Sequence, residues 1–226
     1  MYYQNRAEAG RKLAEKLEEY KSKHIVVLAL GLSSSIVAAQ VAMSLHSNLL
    51  VYLFKYINLP GEPEALAGLG SGDIFTFNTQ YSSGQLDDFM SEYHTFIEQS
   101  RREQSHELNM ILGDSGQIDK SLLRHRTVIL VADGFANGFV LNIAADYLKT
   151  IAIEKLVVAT PIASVNAVDR MHLVADEIRC LSTADNFMGV NHYYDDNYVP
   201  TPEDVAKIMR NISMNWERHK EGGRQH

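Results

Sequence analysis

Short apolar runs alternate with segments of helical length along most of this chain. The runs are rich in valine, isoleucine and leucine, and such runs are typical of strands buried on both faces of a parallel sheet. They predict strands over residues 25–30, 49–54, 127–131, 156–159 and 177–181, with a further strand over 187–190. The intervening segments predict helices over residues 6–21, 36–45, 85–112, 139–149, 164–176 and 201–215. This alternation predicts the α/β class, with a doubly wound, mainly parallel sheet flanked by helices.

Residues 58–120 depart from this pattern and predict a small lid or hood region. Asn58–Gly72 holds four glycines and two prolines, a composition typical of a long loop. Long loops inside compact domains tend to cover functional sites. Asp73–Asn78 alternates at period two, which indicates a short strand. The predicted organisation is one domain over residues 1–220 that includes this region, followed by a disordered tail over residues 221–226.

Composition narrows the class of protein. The 226 residues carry a net charge of −7, which argues against a nucleic-acid-binding surface. The single cysteine, Cys180, rules out an internal disulfide and suits a reducing compartment. The nine histidines have no metal-binding spacing, so the sequence predicts no metal site formed by protein ligands. No apolar run is as long as a membrane span, and no signal-peptide core is present, so we expect a cytoplasmic protein that does not bind membranes.

The segment Thr127–Leu141 carries the clearest chemistry. A buried strand ends before Asp133, a loop with Gly134, Asn137 and Gly138 follows, and then a helix begins. A glycine-bearing loop between a strand and a helix can direct backbone N–H groups at an anion. Ligands of open α/β sheets bind at the carboxyl ends of the strands, where this acid lies. The segment therefore predicts a site for a phosphate and a ribose.

The chain resembles the type I phosphoribosyltransferases almost from end to end. The resemblance rests on the order and spacing of seven segments, namely Arg6–Ala14, Ile25–Leu30, Leu59–Glu64, Thr127–Gly138, Val157–Ser164, Asp176–Ser182 and Asn186–Asp196. It implies transfer of ribose 5-phosphate from phosphoribosyl pyrophosphate to a nitrogenous base, with Mg²⁺ as cofactor. It also implies a phosphorylated ribose or nucleotide ligand and a homodimer.

The resemblance assigns roles to individual residues. Phosphate and ribose binding falls to the loop residues Asp133, Gly134, Ala136, Asn137 and Gly138. Asp133 and Lys55, which stands at the end of the second predicted strand, take the catalytic positions. Phe187 is a candidate for stacking on the base. The pyrophosphate loop corresponds to Leu32, Ser33 and Ser34.

Two of these parts depart from the family pattern. The family's pair of acids is Ala132-Asp133 here, and its T-G-x-T run is Asn137-Gly138-Phe139-Val140, without either threonine hydroxyl. The arginine of the pyrophosphate loop is also missing. Hydrogen bonds to charged groups contribute roughly 1.5–3 kcal/mol each, so three lost contacts amount to about 4–9 kcal/mol. That corresponds to on the order of 10³-fold or more in affinity. The sequence thus predicts a transferase with impaired or altered activity.

Three alternatives stay open at this stage. The protein could be a non-catalytic protein that binds a nucleotide or phosphate on the same fold. Asp133 could act only as a helix or loop cap. The segment Gly31–Ser35 is similar to the nucleophile elbow of α/β-hydrolases, which would make Ser33 the nucleophile of an esterase.

Overall fold

The computed structural model describes residues 2–112 and 118–222, with side chains for residues 2–111 and 118–212. The strands are β1 (Ile25–Leu30), β2 (Leu49–Tyr52), β3 (Phe54–Ile57), β4 (Ala67–Gly70), β5 (Ile74–Phe77), β6 (Thr127–Val131), β7 (Lys155–Ser164) and β8 (Glu177–Ala184). The α-helices are α1 (Arg6–Glu15), α2 (Ser34–Leu45), α3 (Ser83–Glu92), α4 (His94–Leu112), α5 (Phe139–Leu148), α6 (Val165–Val174) and α7 (Pro202–Gly222). Short 3₁₀ helices cover Glu18–Tyr20, Lys120–Leu122 and Val190–Tyr193.

The chain divides into two compact units. The first unit comprises residues 1–51, 119–138 and 151–226, and the second comprises residues 52–118 and 139–150. The predicted lid or hood region, residues 58–120, falls mostly within the second unit. The assignment of residues 1–220 to one domain stays a prediction.

A five-stranded sheet in the order β2-β1-β6-β7-β8 organises the first unit. The pairs β1–β6, β6–β7 and β7–β8 are parallel, and every residue of β1 and β6 is buried. Counted among these five strands alone, the order is 2-1-3-4-5, which is one of the common doubly wound arrangements. The predicted fold class is therefore confirmed. Since these strands are parallel, the loops after β1, β6 and β8 emerge at the same edge.

The second unit contains the antiparallel sheet β3-β4-β5. Two sequence predictions are wrong here. The predicted loop Asn58–Gly72 contains strand β4, and the predicted strand over residues 49–54 ends at Tyr52, after which β3 begins in the other sheet. The glycines of β4 indicate a loop in the sequence, but in the structure they allow neighbouring side chains to pack closely against the strand. A Cβ atom at Gly68 would lie 2.0 Å from Ile143 Cδ1 of helix α5.

The end of the chain also differs from the prediction. Helix α7 extends to Gly222, so residues 221 and 222 are helical. The rest of the predicted disordered tail, residues 223–226, lies outside the described residues. The predicted strand over residues 187–190 is absent, and a 3₁₀ helix begins at Val190 instead.

Candidate functional site

The loop that follows β6 is built as a continuation of the sheet. Phe135 is fully buried and pairs with strand β7, because its N–H donates to the Ile162 carbonyl at 3.1 Å and its own carbonyl accepts from the Ser164 N–H at 2.9 Å. This second pairing anchors the middle of the loop. Ala136 is exposed, and Gly134 and Asn137 are half-buried, so these parts of the loop are accessible to solvent.

Helix α6 supports the far end of this loop. Ser164 caps the helix by accepting a hydrogen bond from the Ala167 N–H at 3.0 Å, and its hydroxyl donates to the carbonyl of Ala136. Gly138 adopts φ +75°, a conformation that favours glycine. A Cβ atom at position 138 would also lie 2.8 Å from the Cβ atom of Arg170. Two independent constraints therefore require glycine at position 138.

The carboxylate of Asp133 is bound by two groups within the protein. Arg6 Nε lies 2.7 Å from Asp133 Oδ2, and the two side chains are 2% and 8% exposed. The Ser34 hydroxyl donates to Asp133 Oδ1 at 3.0 Å and in turn accepts from the Asp133 N–H at 3.1 Å. Each carboxylate oxygen thus already accepts a hydrogen bond from a buried donor.

The turn after β8 adds Asn191 and Tyr194 to the contacts around Arg6 and Asp133. Arg6 Nη2 donates to Asn191 Oδ1 at 2.8 Å, and the guanidinium carbon lies 4.7 Å from the centre of the Tyr194 ring. The Tyr194 hydroxyl donates to the Asp133 carbonyl at 2.5 Å. Burial, with the nearby Asp133 charge adding to it, raises the pKa of Tyr194 well above its usual range, so the hydroxyl remains a donor at neutral pH. Arg6 and Asp133 therefore tie together the loops that follow β1, β6 and β8.

This geometry bears on the role predicted for Asp133. Both oxygens are engaged in the fold, so the side chain is a structural ion-pair partner in this arrangement. Ala132, at the position of the family's other acid, is 3% exposed and has no polar side-chain group. The family's pair of acids thus has no carboxylate left that is free of internal contacts.

The acidic and histidine side chains of the described residues bear on the predicted Mg²⁺ cofactor. The described residues contain no group of three or more histidine, cysteine, aspartate or glutamate side chains that could hold a metal ion. The Asp133 carboxylate is committed to Arg6 and Ser34. Because Mg²⁺ is commonly held by one or two carboxylates together with substrate phosphates and water, its role as a cofactor stays a prediction.

The predicted pyrophosphate loop separates into two parts. Ser34 is 1% exposed, and its hydroxyl donates a hydrogen bond to Asp133. Leu32 and Ser33 are half-buried. Gly31 turns the chain before them with φ +88°. No hydrogen bond joins Ser33 to a histidine within the described part of the chain, so the structure does not support the hydrolase alternative.

Lys55 lies within strand β3 of the second unit, and not at the end of the second strand as predicted. Its Nζ lies 2.7 Å from Glu107 Oε2 of helix α4. Phe139, which follows Gly138, is 4% exposed and stacks on Tyr56 with 5.9 Å between ring centres. The Phe139 side chain is thus a packing element of the second unit.

Phe187 follows β8 and is half-buried against the aromatic residues of the first unit. Its ring centre lies 5.2 Å from that of Tyr193, at an interplanar angle of 40°. The residue packs at the margin of the cluster that contains Tyr3, Ile162 and Tyr194. Its role in base stacking stays a prediction.

Sequence reasoning missed Arg6, although a signal was present. The amphipathic helix α1 buries Ala9 and Leu13, and Arg6 lies on the same stripe, three and seven residues before them. A charged residue in an apolar stripe must find a partner, because an isolated buried charge is costly. The partner lies 127 positions away in sequence, and nothing local identifies it.

Comparison with known proteins identifies similar chains. No protein-family model matches this sequence. Two curated proteins from strains of Mycobacterium tuberculosis, each named "Putative phosphoribosyl transferase", are 30% identical to this chain over 207 residues, which is 89% of the chain and 45% of each relative. This chain thus spans about half the length of those relatives.

The crystal structure of TT1426 from Thermus thermophilus is similar over 94% of this chain and 99% of that one, with a TM-score of 0.71 and 29% identity. The sheet order and these similarities agree with the resemblance found in the sequence, since the chain is similar over 207 residues to proteins named putative phosphoribosyl transferases.

Proposed function

We propose that this chain binds the phosphate of a phosphorylated ribose or nucleotide at the loop over residues 133–138, and that its phosphoribosyl transfer is impaired. The observation that carries the proposal is the internal use of Asp133, whose carboxylate is bound by Arg6 and Ser34. In this proposal the loop backbone still binds the phosphate, while Ala132 and the engaged Asp133 no longer recognise the ribose hydroxyls.

The phosphate half of the proposal rests on the loop backbone. Gly138 keeps the left-handed conformation, and Phe135 anchors the loop to strand β7. Ala136 is exposed and Asn137 is half-buried, so a ligand can approach the backbone between them. A glycine-bearing loop between a strand and a helix can bind an anion through its backbone, without side-chain hydroxyls.

The free energies of two competing contacts indicate whether Asp133 binds the ribose of the ligand. A hydroxyl that donates to a carboxylate contributes roughly 1.5–3 kcal/mol. Separating a buried ion pair leaves a buried charge without compensation and costs about 3–5 kcal/mol. Asp133 therefore gains less from a ribose hydroxyl than it loses by leaving Arg6. Ala132 offers no acceptor in its place, so the ribose is held more weakly than in a site with two free acids.

Calorimetry and a turnover assay test the two halves separately. We expect ribose 5-phosphate to bind and phosphoribosyl pyrophosphate with Mg²⁺ to bind, without pyrophosphate release when purine and pyrimidine bases are supplied. We also expect ribose 5-phosphate and 2-deoxyribose 5-phosphate to bind with equal affinity, because no free carboxylate accepts hydrogen bonds from the ribose hydroxyls. Turnover at a rate typical of enzymes, about 1 s⁻¹ or more, would overturn the proposed impairment. Absence of binding by any phosphorylated ribose would overturn the site.

A second candidate function is an active transferase. The observation that favours it is the name of the two mycobacterial relatives, together with their 30% identity to this chain. An active transferase would release pyrophosphate from phosphoribosyl pyrophosphate and Mg²⁺ with one specific base. The same turnover assay distinguishes the two candidates.

The assembly and location of the protein complete the proposal. A homodimer is expected from the family resemblance, and light scattering coupled to gel filtration measures the mass of the particle. No helix in the described part of the chain is long and apolar enough to cross a membrane. A cytoplasmic location stays a proposal, and fractionation of cells tests it.

A further inference from the structure

Arg170 lies directly against the loop that carries the proposed phosphate site. A Cβ atom built at Gly138 would lie 2.8 Å from Arg170 Cβ and 3.1 Å from Arg170 Cγ. The first two carbons of this arginine side chain therefore occupy the space next to the glycine of the loop. We propose that the Arg170 guanidinium binds the phosphate of the ligand at this loop, an inference that rests on the proposed function.

The guanidinium of Arg170 is uncommitted within the fold. It has no hydrogen bond, ion pair or ring contact with the other described residues. The contrast with Arg6 is clear, since Arg6 is buried and engages Asp133, Asn191 and Tyr194. A half-buried arginine whose stem packs on a loop while its charge remains available is suited to binding an anion.

Helix α6 fixes the position of Arg170 relative to the loop. Ser164, the cap of the helix, donates its hydroxyl to the carbonyl of Ala136, and the Ala167 Cα atom would lie 3.5 Å from a Cβ atom at Gly138. Contacts at two places along the helix thus hold it against residues 136–138. The stem of Arg170 is therefore a neighbour of the loop, next to Gly138.

The chemistry of the loop explains why a cation is needed at this place. The family's two threonine hydroxyls are replaced by Asn137 and Val140, which leaves fewer donors for a phosphate. A guanidinium can donate two parallel hydrogen bonds to phosphate oxygens and supplies a positive charge as well. One arginine can therefore replace much of what two hydroxyls contribute.

Chemical labelling tests whether Arg170 binds phosphate, independently of the identity of the sugar. The full chain is treated with phenylglyoxal, which modifies accessible arginines, with and without inorganic phosphate, and labelling is read by mass spectrometry. We expect phosphate to protect Arg170 but not Arg124, an exposed arginine that is also uncommitted among the described residues and precedes strand β6. Equal labelling of Arg170 with and without phosphate would overturn the inference.

Matched variants then measure the contribution to affinity. Arg170→Met keeps the apolar stem against Gly138 and removes the charge, so we expect it to weaken binding of ribose 5-phosphate roughly tenfold or more. Arg170→Lys should retain part of the affinity, and Arg124→Met should retain all of it. Unchanged affinity in a folded Arg170→Met protein would mean that the stem only packs, and would overturn the inference.

The outcomes separate this inference from the proposed function. Protection of Arg170 by phosphate, with ribose 5-phosphate no tighter than inorganic phosphate, keeps the arginine site and rejects the phosphorylated-ribose ligand. Binding of ribose 5-phosphate that Arg170→Met leaves intact keeps the proposed function and rejects the role of Arg170. If neither ligand binds, both are rejected.

Discussion

The guanidinium of Arg6 and the carboxylate of Asp133 form an ion pair almost fully shielded from solvent, with 2.7 Å between Nε and Oδ2. The pair links the first turn of helix α1 to the loop after β6. Its energetic role is set by burial, because removing one member leaves the other charge in a medium that solvates it poorly. Asp133 is thus held in place by the fold before any ligand arrives.

Arg6→Met is therefore expected to lower the free energy of unfolding by about 3–5 kcal/mol. Urea denaturation measures the loss. Lys149→Met is the control, since the pair between Lys149 and Asp146 is largely exposed and contributes about 0.5 kcal/mol or less.

The double variant Arg6→Met/Asp133→Leu should recover part of that loss, because no buried charge remains uncompensated. Arg6 Nη1 supports this expectation, since it is buried and has no hydrogen-bond partner among the described residues. A loss for Arg6→Met no larger than that for Lys149→Met would contradict a structural role for the pair.

Gly138→Ala should destabilise the protein more than Gly189→Ala does. Both glycines have positive φ, at +75° and +97°, so both variants incur backbone strain of about 1–2 kcal/mol. Only position 138 adds an overlap, with Arg170, whereas a Cβ atom at Gly189 meets nothing within 4 Å. Overlap in a packed region typically costs a further 1–3 kcal/mol or so. Thermal or urea unfolding measures the difference, and equal losses would show that α6 moves away freely.

Strand β4 and Tyr52 give a third prediction, within the second unit. A Cβ atom at Gly70 would lie 1.8 Å from the Tyr52 hydroxyl oxygen, so Gly70→Ala should cost about 1–3 kcal/mol. The Tyr52 hydroxyl is buried and has no hydrogen-bond partner among the described residues. Tyr52→Phe alone should therefore be nearly neutral, because it removes an unsatisfied group.

A double-mutant cycle checks this packing. Tyr52→Phe combined with Gly70→Ala should lose less stability than the two single changes added together, because the overlapping oxygen is gone. Gly84→Ala is the control, as a Cβ atom there meets nothing within 4 Å. If the losses in unfolding free energy of the two changes are strictly additive, the Tyr52 hydroxyl does not lie against Gly70.

The sequence predicted the parts of the fold that local pattern controls. The apolar run Thr127–Val131 identifies strand β6, and Ser164 identifies the start of helix α6. Strand β4 was missed because close packing against another element selected glycine at positions 68 and 70, and glycine in a sequence also indicates a loop.

The site was only partly predictable for a related reason. The composition of the loop over residues 133–138 predicts a phosphate site from local sequence alone. The hydrogen-bond partners of the Asp133 carboxylate, however, are Arg6 and Ser34, which lie 127 and 99 positions away. Long-range pairing of this kind follows from the sheet order and not from any local pattern.

Restoring the family's hydroxyls provides the final prediction. Asn137→Thr combined with Val140→Thr should tighten binding of ribose 5-phosphate, because each new hydroxyl–phosphate hydrogen bond contributes roughly 1.5–3 kcal/mol. Calorimetry should record a gain of about tenfold or more. Val199→Thr, at an exposed position in the segment before helix α7, adds a hydroxyl outside residues 133–140 and should leave the affinity unchanged.

Adding Ala132→Asp to this variant tests the ribose half of the site. Position 132 is 3% exposed, so the new carboxylate should lower stability unless a ligand hydroxyl or Mg²⁺ engages it. We therefore expect the triple variant to favour ribose 5-phosphate over 2-deoxyribose 5-phosphate and to unfold at a higher temperature when ligand is present. If the wild-type chain already makes that distinction as strongly, then Asp133 leaves Arg6 when ligand binds, and the proposed impairment of this site is wrong.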